Sequence, residues 1–229
     1  MKKEIIKDPK AFLDRCDEVS LDNPKEAPLI EQTIQDLKDT LRANTDLVAL
    51  SAPQIGAKMR LFCIRFKNGD IRAFLNPLVI TRKGIHLSRE NQIGMSSTEY
   101  IVPRSNEVQV AYTTPVNVHE LNAFLGVVGE VFQQMLDLLD GTLLQMYGLE
   151  IIPEFDEASE EEKKAVIDFY LKDLSEKDKQ LDEVIKNDPE VHDLAQAINF
   201  TTLYSLGKIE TIEMTEEDKE KLRKAKETK

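Results

Sequence analysis

The chain has 229 residues, 42 acidic and 30 basic, with a formal net charge of −12; hydrophobic residues make up 41%. That length holds one domain with an extension, or two small domains, around a real core. The acidity argues against direct nucleic-acid binding, and two unclustered cysteines, Cys16 and Cys63, argue against a disulfide framework or a cysteine zinc site.

In chain order, Met1-Lys2-Lys3-Glu4 leads only into the short Ile5-Ile6 pair, so no signal-peptide core or spanning segment is expected. The expectation is a soluble, cytoplasmic protein that stays off the membrane. Residues 2–8 have the length of an edge strand, and residues 9–28, rich in Asp, Asn and Pro, predict irregular chain. Leu29, Ile30, Ile34, Leu37 and Leu41 then recur at the one-sided spacing of an amphipathic helix over 28–44. Residues 48–50, 60–66, 71–75 and 78–80 predict short strands, with Asn68-Gly69 as a hairpin turn. Residues 84–97 are polar without a period; 107–112 and 115–118 predict strands again.

Residues 127–141 predict the central helix. Apolar side chains at 127, 128, 131, 132, 135, 136, 138 and 139 cover more than one stripe, the mark of a buried helix. Asp140-Gly141 supplies the stop, because glycine tolerates the left-handed conformation that ends many helices. After Leu149 the character changes. Residues 151–229 hold 22 acidic and 13 basic side chains, more acidic than the rest. Helices are expected over 157–174, opened by the capping box at Ser159-Glu160-Glu161-Glu162, and over 173–186, 189–198 and 215–226. The division expected is 1–150 as the main domain and 151–229 as an acidic helical extension.

Three stretches carry a resemblance. Ser51-Ala52-Pro53-Gln54-Ile55-Gly56 resembles the first signature of the peptide deformylases, G-Φ-G-L-A-A-P-Q-I-G. Their third signature, Q-H-E-x-D-H-L-x-G on the central helix, is kept in frame at Gln133, Asp137, Leu139 and Gly141. The second, E-G-C-L-S, has its match at Ile93-Gly94-Met95-Ser96-Ser97. The resemblance covers about residues 1–150 and implies an α+β fold, small antiparallel sheets around a central helix. It also implies where the chemistry of the family would sit. Gln54 matches the glutamine that helps hold the formyl oxygen. Gln134 and Leu138 stand where two histidine ligands would be, Met95 where the cysteine ligand would be, and Met135 where the catalytic glutamate would be.

Two histidines four apart on a helix share a face and can offer two nitrogens to one metal, with a carboxylate beside them as base. An amide and a thioether are poor substitutes, and leucine offers no donor at all. The expectation is therefore a chain that is not an enzyme, has no catalytic residue and needs no cofactor. Met95, Met135 and Leu138 would pack as an apolar plug in a dry interior. Gln54, Gln133 and Gln134 would make structural hydrogen bonds, and Asp137 would be structural. A relocated site pairing His86 or His119 with Glu90 or Glu99 is the minority alternative; His192 lies apart. The role expected is a structural or assembly subunit with protein partners in a larger complex, for which a virus particle is one setting. The alternatives are a peptide-binding module using edges at 48–50 and 104–108, and last a retained deformylase.

Overall fold

The structure, a computed structural model, describes residues 1–151, 159–162, 164–169, 171, 172, 175 and 176. Helix α1 (Ala27–Ala43) carries Pro28 in its first turn, where no N–H partner is needed, and ends at Asn44, whose side chain donates to the Thr40 carbonyl at 2.7 Å. Its predicted stripe is the buried one: Ile30, Ile34, Leu37 and Leu41 pack against Leu50, Leu61, Cys63 and Leu75.

The strands join into one antiparallel sheet. It runs in the order β1 (Ala49–Ser51), β2 (Leu61–Arg65), β3 (Ile71–Asn91), β4 (Glu99–Thr113) and β5 (His119–Leu125), with β6 (Leu149–Glu150) added to β4 at Tyr100 and Ile101. Register shifts between Leu75 and Leu78, and between Val79 and Thr81, bend β3 and let the sheet curl. Against it lies the central helix α2 (Gly126–Leu139), with the one-turn α3 (Leu144–Tyr147) after it. The main core between α2 and the sheet is aromatic. The Phe132 ring meets Phe62 at 4.8 Å, Phe74 at 5.0 Å and Phe124 at 4.5 Å between centroids. Pairs of this kind add about 0.5–1.5 kcal/mol each beyond burial. Gly141 closes α2 at φ +75°; a Cβ there would stand 2.7 Å from the Leu13 carbonyl oxygen. The predicted stop is thus also a close backbone crossing.

The α+β expectation holds, with the small sheets joined into one. Residues 2–8 form no strand; they are tied singly, Lys3 N to Thr40 Oγ1 and Ile6 N to the Gln54 carbonyl. Residues 115–118 turn rather than extend, and the strand follows at His119–Leu125. The aperiodic 84–91 belongs to β3. Its backbone is satisfied by pairing with β4 along its length, and polar Ser88 is buried, so alternation was not there to be seen. Residues 160–162 and 164–169 are helical. The helices expected over 189–198 and 215–226, and almost all of 173–186, lie outside the described residues. Among the described residues no helix is long and apolar enough to cross a membrane.

Candidate functional site

The Pro53–Gln54 region folds as a single 3-10 turn, Ala52–Ile55, closed by Gly56 at φ +85°. That geometry points Gln54 inward, fully buried. Its Oε1 accepts from the Ser51 N–H and hydroxyl, both at 2.9 Å, and its Nε2 donates to the Ile93 carbonyl at 2.7 Å. Both ends of the amide are used.

Helix α2 presents Gln133, Gln134 and Asp137 to the sheet; residues three and four apart share a face. Gln133 accepts from the Ser105 N–H at 2.9 Å and donates to the Ser105 carbonyl at 3.0 Å, clamping one residue of β4. Gln134 does the same for the end of β3 and the residues just after it. Its Oε1 accepts from the Ile93 N–H at 2.8 Å; its Nε2 donates to Glu90 Oε2 at 2.8 Å and to the Asn91 carbonyl at 3.1 Å. Ile93 is therefore held from both sides, its carbonyl by Gln54 and its N–H by Gln134. Gln92 lies beside Gln134, with Nε2 to Oε1 3.5 Å, and its Oε1 accepts from the Leu144 N–H at 3.0 Å.

Below this sits Arg104 of β4, only 1% exposed. It donates twice to Glu90, at 2.7 and 2.8 Å, and once to Asp137 at 2.7 Å, and its guanidinium carbon lies 5.9 Å from the Tyr147 ring centre. Burial alone would lower this guanidinium, but the Tyr147 phenol and the carboxylates of Asp137 and Glu90 around it hold it well above its ordinary value. Tyr147 donates to the same Asp137 oxygen at 2.6 Å; burial and that carboxylate push its phenol well up, so it remains a donor.

The structure thus brings Gln54 and Gln134 onto one short segment. Met135 and Leu138 are fully buried in the main core, and Met95 packs against that core. Three expectations need correction. Met95 is not the residue facing Gln134: Gln92 is, so the second signature falls on Glu90-Asn91-Gln92-Ile93-Gly94, three residues earlier. That register keeps the leading glutamate, at Glu90. Nor is the interior simply apolar, because Glu90, Gln92, Arg104 and Asp137 form a connected polar network there. Gln92 and Arg104 carry no local signal of this role, because their partners lie far off in the chain. Residues 104–108 are no free edge either, since β3 pairs with Arg104, Ser105, Glu107 and Val108 and Gln133 takes the other side of Ser105.

The histidines lie elsewhere. His86 contacts Asn106 at 2.7 Å and Glu130 at 2.9 Å, and His119 contacts Thr113 at 3.1 Å. Glu90 is taken up by Arg104 and Gln134, so it does not join them. Among the described residues no group of three or more His, Cys, Asp or Glu could hold a metal ion. His192 lies outside the described residues.

The metal implied by the resemblance does not fit these residues. Gln134 has its amide committed to three partners, Gln92 accepts from Leu144, and Leu138 has nothing to offer. Met135, where the base would stand, cannot take a proton.

A family model described as polypeptide deformylase matches residues 2–147. A peptide deformylase of Prosthecochloris aestuarii is 27% identical over 119 residues, 49% of this chain and 63% of that protein. One from Pseudothermotoga lettingae is 31% identical over 121 residues, 52% of this chain and 67% of that protein. The chain thus spans about two thirds of the length of these curated relatives. The solved structure of the Thermotoga maritima peptide deformylase superposes with a TM-score of 0.55 at 22% identity, over 63% of this chain and 95% of that one. The peptide deformylase of Thermus thermophilus gives 0.56 at 20% identity, over 79% and 99%. The last two matches establish the fold. The family match and the curated relatives overturn the expectation that the chain is not an enzyme, because peptide deformylases are enzymes.

Proposed function

The chain belongs to the polypeptide deformylase family, and from that premise we propose that it engages other polypeptides as a subunit of a larger protein assembly, docking through the free edge of β5. The observation that supports this reading is the apolar rim of that edge. Among the described residues β5 ends the sheet, pairing only with β4. Beside it stand four exposed apolar side chains: Val116 at 78%, Val118 at 50%, Leu125 at 58% and Val127 at 68%. An open strand edge carries unpaired N–H and C=O groups, a ready template for a partner's strand, and apolar neighbours add burial when it is covered. The virus-particle setting rests on analogy alone.

The test is the native mass of the complex in which the chain is recovered from its source. A particle well above one chain is expected, and Leu125→Lys with Val127→Lys should release the chain as a monomer. Recovery of the unaltered chain as a monomer overturns the reading.

A second reading is peptide capture beside the loop at 51–56. It keeps one of its two expected edges, since among the described residues β1 pairs only with β2. Titration with formylated and free N-terminal peptides tests it; no binding at millimolar concentration removes it.

A further inference from the structure

We infer that a glutamine clamp, Gln134 with Gln92, makes in this chain the cross-link that a bound metal makes where the donor set suits one. These side chains are poor metal donors, and their hydrogen bonds bridge the same pieces of chain. Three pieces of chain converge at this point: the end of β3 with the residues after it, the middle of α2, and the first turn of α3. A metal with ligands on the first two would staple them. Here the staple is amide chemistry. Gln134 reaches from α2 to Ile93 N, Glu90 Oε2 and Asn91 O at 2.8, 2.8 and 3.1 Å. Gln92 carries the link on to Leu144 N at 3.0 Å. Both side chains are nine-tenths buried or more, so water does not compete freely for these bonds.

An amide suits this task better than an unliganded imidazole or thiol. It offers one acceptor and two donors at once, and the strand end presents one N–H and two acceptors. The match is complete for Gln134: acceptor to N–H, donors to a carboxylate and a carbonyl. Gln54 closes the far side by holding the Ile93 carbonyl at 2.7 Å. The clamp therefore fixes the spacing between the 51–56 loop, residues 90–94 and α2 without any ion. It does so whether or not β5 docks a partner.

Two measurements on the full-length chain test this. The first is amide hydrogen exchange with thermal melting of Gln134→Leu. Replacing the amide leaves a buried N–H, a carboxylate oxygen and a carbonyl without this partner, so a midpoint about 5–10 °C lower is expected. Exchange of the Ile93 amide should quicken roughly tenfold or more, beyond that of core amides such as Phe62. An unmoved midpoint together with unchanged Ile93 exchange overturns the inference. The second keeps it decidable should that variant fail to fold. The unaltered chain is melted with EDTA, and again with equimolar Co(II), Zn(II) or Fe(II). The clamp predicts the same midpoint in every case, and no cobalt ligand-field absorbance. A chelator-sensitive midpoint with one bound equivalent of metal overturns it.

Discussion

Arg104→Met is the substitution that most directly probes how this fold is held. Methionine keeps much of the side chain's length but removes the charge and all five donors. In the folded chain Arg104 makes three charge-assisted bonds of 2.7–2.8 Å, two to Glu90 and one to Asp137, and those partners have side chains only 9% and 14% exposed. The loss is therefore not that of a surface ion pair, worth well under about 1 kcal/mol. It leaves two buried carboxylates facing each other across an apolar side chain. Breaking a buried pair in this way costs about 3–5 kcal/mol, and a domain's whole stability is about 5–15 kcal/mol. With a urea slope of about 2 kcal/mol/M, the midpoint should fall by about 1.5–2.5 M. Urea unfolding followed by far-UV circular dichroism is the assay. The double variant with Glu90→Gln should lose less than the sum of the two singles, since both act on one network. A midpoint within about 0.3 M of the unaltered chain would refute the claim that this network carries folding energy.

Three further outcomes are expected. Gly141→Ala places a Cβ only 2.7 Å from the Leu13 carbonyl oxygen, at φ +75°; we expect a loss of at least about 2 kcal/mol, read by the same urea titration. A loss below about 0.5 kcal/mol would mean that the crossing relaxes freely. Burial, then the hydrogen bond to Glu120, pushes the Tyr112 phenol up from its ordinary 10 to about 12. The folded chain thus keeps a proton that the unfolded chain gives up, so stability is whole below pH 10 and falls between 10 and 12. Tyr112→Phe should flatten that part of the stability–pH curve relative to the unaltered chain, and an equally steep decline would contradict the assignment. Burial also pushes the Cys16 thiol to about 11 and Cys63 to about 12. Neither should react with a disulfide reagent at pH 8 until denaturant is added, when both should; rapid reaction of native protein would count against the packing.

Much of this protein is legible locally. The 3.6-residue spacing of Ile30, Ile34, Leu37 and Leu41 gives α1, and the broad apolar run from 127 to 139 gives a buried α2 with its glycine stop. The turn chemistry of Pro53 and Gly56 gives the loop that turns Gln54 inward. Residue types alone also show that positions 134 and 138 bring no imidazole. These features depend on neighbours within a turn or two, and such neighbours are what a sequence displays.

The register of the Glu90–Gln134 contact, the pairing of β3 through its polar half, and the three partners of Arg104 come only with the tertiary structure. Gln134 meets Glu90 across 44 residues of chain, and Arg104 meets Asp137 across 33. A buried amide or guanidinium is placed by whichever distant group satisfies it, and no local period announces that group. Polar Ser88, Gln92 and Arg104 look like surface in the sequence and are interior in the fold, because the desolvation of each is offset by a partner that folding alone brings near.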